Sequence, residues 1–370
     1  MASSPPVLQI VPRLGSQLDG VADYARALGA ALRLWADANV CFLSGDPSED
    51  LNDGICASLA GRLQQRSSDE LASTLRKIAS PQGGGETKAV LLHYVNYGYA
   101  TRGCPFWLID GLEDWKRHDP HARLVTMFHE LYASGPPWRS SFWLSPLQRR
   151  LARRLCNVSD EVVTNREQSR DWLCRGRDDI RRRVSVMPVF SNFGEPEQLI
   201  AWGTRSAQMV VAGRTGSANR AYGRCRDQLV EACRALDIDE IIDIGARSDP
   251  VPPRIGNIRV SALGHLTPAQ ARAVLAGARA GFVDYPSDYL GKSTVFAAYA
   301  AHGLAPVVSW HRGVEEAGLK DGVNYWVPSP GDRTPRDFEA IATRATTWYA
   351  GHRLDFQARE FAKLLRGDSA

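Results

Sequence analysis

Short runs of strand-forming apolar residues alternate with helix-length amphipathic stretches along nearly the whole chain, and this alternation limits the fold more than any single motif. Residues 7–11, 39–43, 89–95, 123–128, 161–164 and 184–190 predict strands in the first half. These runs are apolar almost throughout, so both faces of each strand must be covered, as in a parallel sheet flanked by helices. The pattern breaks at the polar stretch 191–198, which carries Gly194 and Pro196, and then restarts. In the second half strands are expected at 209–212, 240–244, 258–262, 281–285 and 305–309, and helices at 268–280 and 292–302. The reading is α/β, with two Rossmann-like domains at 1–192 and 193–351. A helical segment at 335–365 breaks near Gly351, and its end, about 352–370, is expected to pack back on the first domain. Sheets of this kind bind ligands at the carboxyl ends of their strands, so function is expected in an interdomain cleft.

The richest segment is 280–303, which reads as a buried strand, a short loop and a helix opening with Lys292, Ser293 and Thr294. A helix start leaves N–H groups unpaired and carries roughly half a positive charge, so it suits a phosphate. A lysine about 4 Å from a phosphate charge adds roughly 4 kcal/mol at an effective dielectric near 20, against ~0.3–1 kcal/mol for the dipole. Lys292 would dominate. Gly291-Lys292-Ser293-Thr294 also invites a P-loop reading, with magnesium-dependent triphosphate hydrolysis. The first glycine of that motif falls on Pro286, which fixes φ and has no N–H to cradle phosphate. The plain alternative is an ordinary helix start with a solvated lysine.

Two other strand ends carry polar groups. The strand at 123–128 delivers His129 and Glu130, and a histidine there can hydrogen-bond a sugar hydroxyl or move a proton near neutral pH; a structural His–Glu pair is the competing reading. The strand at 209–212 runs into Gly213 and Arg214, whose guanidinium suits a diphosphate in concert with Lys292; Arg220 is a weaker candidate. Gly15 and Gly20 follow the first strand in a pattern equally suited to a tight turn, and no Gly-x-Gly-x-x-Gly fingerprint is present. There is no His-Glu-x-x-His, Cys-x-x-Cys or Gly-x-Ser-x-Gly motif, and Asp237-Ile-Asp239 precedes its strand. No metal and no cofactor are expected, because two cations and a helix start suffice to neutralise a diphosphate.

The 370 residues, 44% hydrophobic and 23% charged, suit two globular domains and exclude a disordered chain. A net charge of +4, with 39 arginines among 45 basic residues, does not point to nucleic acid. Seven scattered cysteines read as reduced thiols, and the apolar run at 7–11 is too short to act as a signal or span, so a cytoplasmic protein is expected, either free or in peripheral contact with the inner membrane face. Leu147, Leu151 and Leu155 lie four apart with Arg149, Arg150, Arg153 and Arg154 beside them. Such a helix suits an anionic membrane, a phosphorylated acceptor or simple exposure to water. Trp107, Trp115, Trp138 and Trp143 offer faces for a sugar or for core packing.

Taken in order, Val21-Ala-Asp-Tyr-Ala-Arg-Ala-Leu28, Phe128-His129-Glu130, Gly213-Arg214, Leu263-Gly264-His265-Leu266 and the 281–308 unit resemble the retaining family-4 glycosyltransferases over nearly the whole chain. The resemblance implies the GT-B fold and transfer of sugar from a nucleoside diphosphate sugar to an acceptor, with retention and without an essential metal. It makes Gly20 and His129 neighbours of the sugar diphosphate, with Glu130 and Gly213 beside the donor, and it makes Arg214 and a downstream lysine the diphosphate clamp, a place that Lys292, with Ser293 and Thr294, is expected to fill from the helix side. Gly264, His265 and Leu266 then lie beside the base. The chain departs from the family pattern in three places: Asp19-Gly20 stands for the loop glycine pair, no lysine follows Arg214 closely, and the Glu-x7-Glu pair falls on Leu290 and Ala298. In the family those glutamates contact the donor's sugar and ribose. A catalytically silent nucleotide-sugar-binding subunit is therefore the alternative expectation, and nucleotide-sugar epimerases share the fold.

Overall fold

The computed structural model describes residues 7–15, 20–49, 59–79, 89–213, 220–246, 250–310, 315–329, 331 and 334–368. The chain divides into two compact units, residues 1–187 with 355–370, and residues 188–354.

In the first unit the elements run β1 (Val7–Val11), α1 (Gly20–Ala36), β2 (Val40–Ser44), β3 (Leu59–Arg62), α2 (Ser68–Ala79), β4 (Ala89–Tyr94), α3 (Asn96–Tyr99) and α4 (Phe106–His118). They continue with β5 (Arg123–Phe128), α5 (Ser140–Val158), β6 (Glu161–Thr164), α6 (Glu167–Cys174) and β7 (Val184–Val186). The strands form one parallel sheet in the order β3-β2-β1-β4-β5-β6-β7. Leu92, Leu112, Trp115, Phe128 and Leu155 fill its core with no more than 1% of their surface exposed. Each such side chain contributes about 1.5–3 kcal/mol of burial.

The second unit contains β8 (Ser206–Ala212), α7 (Arg226–Ala235), β9 (Glu240–Ile244), β10 (Arg254–Ile255), β11 (Ile258–Gly264) and α8 (Pro268–Gly277). It continues with β12 (Ala278–Pro286), α9 (Thr294–Ala301), β13 (Ala305–Trp310) and α10 (Phe338–Ala350). Its strand order is β10-β11-β9-β8-β12-β13, parallel apart from the β10–β11 pair. The last helix, α11 (Leu354–Arg366), belongs to the first unit: Tyr24 Oη donates to Gln357 Oε1 at 2.9 Å, and Arg123 Nε donates to the Leu364 carbonyl.

Several boundaries differ from the sequence reading. The strand expected at 184–190 stops at Val186, just ahead of Pro188, which has no N–H for a ladder. The helix expected at 268–280 ends at Gly277, and β12 begins at Ala278, because residues 278–282 pair with β8. The helix expected from Lys292 starts at Thr294, with Ser293 as its cap. Strand β3 and the short β10 carried no recognisable apolar run.

In each sheet the chain winds outward in both directions from one pair of strands, β1 and β4 in the first unit and β8 and β12 in the second. Loops leave such a pair to opposite sides, opening a crevice at the carboxyl ends. In the second unit one side chain ties that pair together. Tyr299 Oη accepts from Ala212 N, and its single proton is shared between the carbonyls of Val210 and Phe282, all at 3.0–3.1 Å. Its ring lies over Gly281, where an added Cβ would stand 2.5 Å from it. Tyr299→Phe takes one hydroxyl away from three buried backbone groups, and denaturant titration should show a loss of about 1–3 kcal/mol. An unchanged midpoint would remove this tie from the account of the fold.

Candidate functional site

At the second unit's switch point the turns that follow β8 and β12 carry Gly213 on one side and Lys292, Ser293 and Thr294 on the other. Gly213 follows β8 at φ 145°, and its N–H reaches the Ile244 carbonyl at 3.3 Å. Arg214 lies outside the described residues. On the β12 side the chain makes a 3-10 turn, Ser287–Lys292, before α9. Lys292 is thus the last residue of that turn, half-buried, and stands two positions ahead of the first helical residue. Ser293 Oγ accepts from Phe296 N at 3.1 Å, a cap that satisfies one orphan donor and leaves the hydroxyl proton to donate. Thr294 opens the helix, whose first N–H groups carry the positive end of its dipole. Gly264 ends β11 at φ 67°, where a side chain would be strained. His265 is exposed, and Leu266 packs against the core around Val210, Val283 and Phe296.

Beside this crevice lies a cluster that the motif reading missed. Asp284, 5% exposed near the end of β12, accepts from Ser309 Oγ at 2.5 Å and from Arg220 Nε, with Arg224 Nη2 at 3.4 Å. Burial alone would raise its carboxyl, but the hydrogen bonds from Ser309 and Arg220 outweigh burial and hold it below the ordinary carboxylate range. Asp284, Ser309, Arg224, Cys225 and Gln228 line a cavity of about 280 Å³. The ion pair fixes Arg220, the first described residue after Arg214, to the strand end. The signal was an acidic residue inside an apolar strand, which has no reason to be there without a partner.

The first unit places His129 immediately after β5, where its N–H continues the ladder to the Tyr94 carbonyl at 2.9 Å. Its ring is 9% exposed, and His129 Nε2 lies 3.2 Å from His93 Nδ1. His93, fully buried in β4, lies 2.6 Å from Gln9 Oε1 through its other nitrogen. With the carboxamide oxygen of Gln9 facing the ring, His93 Nε2 carries the proton and donates to Gln9, so His93 Nδ1 accepts from His129 Nε2–H. That chain fixes the tautomer of His129. Tyr24 packs edge-on against both rings, at 5.0 Å from His129 and 5.8 Å from His93. Glu130 is exposed and is set by backbone contact with Tyr94. Gly20 begins α1, with nothing near its Cα that a methyl would strike.

Between β1 and α1 a second buried carboxylate organises the turn. Glu49, 8% exposed, accepts from the N–H groups of Leu14 and Gly15 and from Ser44 Oγ. It holds the exit of β1 at the first unit's switch point, a role no local pattern announced. Of the four tryptophans, Trp115 is core and Trp107 packs against it, whereas Trp138 and Trp143 are 83% and 71% exposed. Among the described residues no group of three or more His, Cys, Asp or Glu could hold a metal ion.

The sequence matches no family model and no curated protein. Solved structures do resemble it in fold. A trehalose-phosphate synthase (UDP-forming) from Burkholderia xenovorans, with glucose 6-phosphate, superposes with a TM-score of 0.58 at 11% identity, over 98% of this chain and 100% of that one. A glycosyltransferase from Rickettsia africae gives 0.56 at 11% identity, over 99% and 100%. A proposed UDP-N-acetylglucosamine 2-epimerase from Listeria monocytogenes gives 0.58 at 11% identity, over 99% and 96%. At these identities the likeness establishes the fold, which is the GT-B architecture of two Rossmann-like units.

Burial pulls the pKa of His93 from 6.5 down to about 3. Through that window the unfolded chain takes up a proton that the folded chain refuses. The stability tied to His93 is complete above pH 6.5 and falls with pH, by up to ~1.4 kcal/mol per pH unit. Buried His302, pulled down to about 4, acts in the same direction. His93→Gln should therefore show a shallower loss of stability than wild type in denaturant titrations from about pH 7 to pH 5. Parallel slopes would mean that His93 titrates alike in both states.

Proposed function

We propose that the chain is a glycosyltransferase that moves a sugar from a nucleoside diphosphate sugar to an acceptor hydroxyl, with retention and without a metal. The observation that carries this reading is the placement of Lys292, the Ser293 cap and the start of α9 at the switch point of a GT-B second unit. The Rickettsia glycosyltransferase and the UDP-forming Burkholderia synthase have the same fold, which supports a nucleoside diphosphate leaving group.

The chemistry asks for little more than fixed positive charge. As the glycosidic bond breaks, negative charge grows on the diphosphate, and donors fixed there stabilise the transition state more than the ground state. Lys292 supplies a full charge, Ser293 and Thr294 supply hydroxyl and N–H donors, and Arg214 is assigned to the same diphosphate across from Gly213. Gly264, His265 and Leu266 are assigned to the base. In the first unit His129, with Gly20 and Glu130, is assigned to the donor sugar, its ring held by His93. The acceptor hydroxyl attacks on the face the leaving group vacates, which gives retention.

A second reading rests on one observation. Leu290 and Ala298, which stand where the family pattern has its two glutamates, are 1% and 0% exposed within an apolar cluster. No carboxylate is available at those positions to contact ribose or sugar, which favours a subunit that binds a nucleotide-sugar without turning it over.

The test is calorimetric binding of UDP, GDP and ADP, followed by turnover of the matching sugar donors over a panel of acceptors. The transferase reading expects one diphosphate to bind, turnover to survive chelation of divalent metal, and NMR to show an unchanged anomeric configuration. Lys292→Ala should weaken binding and lower turnover about a hundredfold, or ~2.7 kcal/mol. Wild-type turnover in that variant would remove Lys292 from the site. Binding without turnover on any acceptor would favour the silent subunit, and conversion of the donor sugar with no acceptor present would favour an epimerase.

A further inference from the structure

Helix α5 carries two surfaces that the transfer reading does not use. Its inner face, with Leu151, Ala152, Leu155 and Cys156, is buried in the first unit's core. Its outer face follows the helical repeat through Phe142, Pro146, Arg149, Arg150, Arg153 and Asn157, all exposed. The stripe is aromatic at its beginning and arginine-rich along its length.

The arginines are fixed in a particular way. Arg149 lies over the Tyr132 ring at 4.4 Å, Tyr132 packs on Trp172 at 4.9 Å, and Arg153 lies over the Trp172 ring at 4.8 Å. Stacking occupies the flat face of a guanidinium and leaves its N–H edge for phosphate oxygens. Arg154, by contrast, is taken up by Glu113 and Asp110 at 2.6–2.7 Å. Arg149, Arg150, Arg153 and Arg175 have no ion pair among the described residues, and they line, with Arg154, Pro146, Asn157 and Trp172, an open groove of about 480 Å³.

The neighbouring aromatics decide what the groove faces. Trp138, Trp143 and Phe142 are 83%, 71% and 43% exposed, and Phe142 and Trp143 pack edge to face at 5.3 Å. A soluble phosphate would account for the arginines and leave this apolar tip in water. An interface of anionic headgroups over acyl chains satisfies both, since guanidinium groups meet lipid phosphates while indole rings settle at headgroup level. We propose that this face of the first unit docks on a bilayer containing anionic lipid, with Arg149, Arg150, Arg153 and Arg175 on the headgroups and Trp138, Phe142 and Trp143 at the acyl boundary. The residues from His129 to Arg139 join the end of β5 to this tip, and Tyr132 among them lies under Arg149. The proposal does not depend on the chain being a transferase.

The full chain is sedimented with vesicles of pure phosphatidylcholine and with vesicles holding about a third phosphatidylglycerol, at low and at physiological salt. Binding should require the anionic lipid and weaken with salt. The triple variant Arg149→Gln, Arg150→Gln, Arg153→Gln should bind roughly a hundredfold less, at about fivefold per arginine. The double variant Trp138→Ser, Trp143→Ser should bind less at every salt concentration. Arg254→Gln, an exposed arginine of the second unit, should bind as wild type, and a cooperative melting curve for each variant shows that it is folded at the temperature of the assay. Equal binding to the two vesicles, an unaffected triple variant, or an equal loss in Arg254→Gln would overturn the proposal. So would absence of vesicle binding with inorganic pyrophosphate raising the melting temperature of wild type but not of the triple variant, which would make the groove a site for soluble anions.

Discussion

The hydroxyl of Tyr299 sits where two strands part, and much of the second unit depends on it. Strands β8 and β12 are neighbours in the sheet, yet the loops that leave them run to opposite sides. A parallel pair at such a point has few local contacts to set its register, because the connecting chain returns from elsewhere in the fold. Tyr299 bonds backbone groups of both strands from one atom, and its ring needs a glycine at 281 to come that close. The crevice with Gly213 on one side and the Lys292 turn on the other therefore opens from a fixed edge. A site that must hold charge in place gains from this, since its donors need no reorganisation when charge develops.

The first unit reaches the same end with buried polar side chains in a line. Gln9, His93 and His129 come from β1, β4 and the end of β5, three adjacent strands, and each ring is oriented by the one behind it. Burial keeps His93 neutral, so the line transmits a hydrogen-bond direction and not a charge. Tyr24, from α1, closes it on one side and is itself tied to Gln357 of α11. Carrying the last helix back to the first unit thus has a consequence beyond packing: it completes the shell around His93 and His129.

What the sequence could and could not reveal follows the same division. Parallel strands buried on both faces announce themselves as apolar runs, so the two sheets and most of their helices were legible from periodicity, whereas the compact units divide at 187/188, ahead of the polar stretch at 191–198. His129 was legible because a polar residue after an apolar run must lie at a strand end. His93 and Asp284 were harder, since a polar residue within a strand becomes meaningful only when its partner, 36 or 25 positions away, is known to sit beside it. The stripe of α5 shows in its spacing, but the Tyr132–Trp172 stack that orients its arginines joins segments 40 residues apart and has no local trace. The start of α9 was displaced by two residues because Ser293 serves better as a cap than as a helical residue.

The departure at Leu290 and Ala298 has a physical cost that bears on how this fold is used here. Both side chains lie in the apolar cluster with Val210, Val283, Phe296, Leu319 and Tyr325. An ionised group placed there without a cation would carry a desolvation penalty of several kcal/mol, and the two apolar side chains are packed into the core, so no open site stands where the glutamates would be. Under the proposed function, recognition of the donor then shifts from the sugar and ribose toward the diphosphate, where Lys292 and the α9 start act on charge alone. Charge is shared by every nucleoside diphosphate sugar, whereas hydroxyl contacts distinguish one from another.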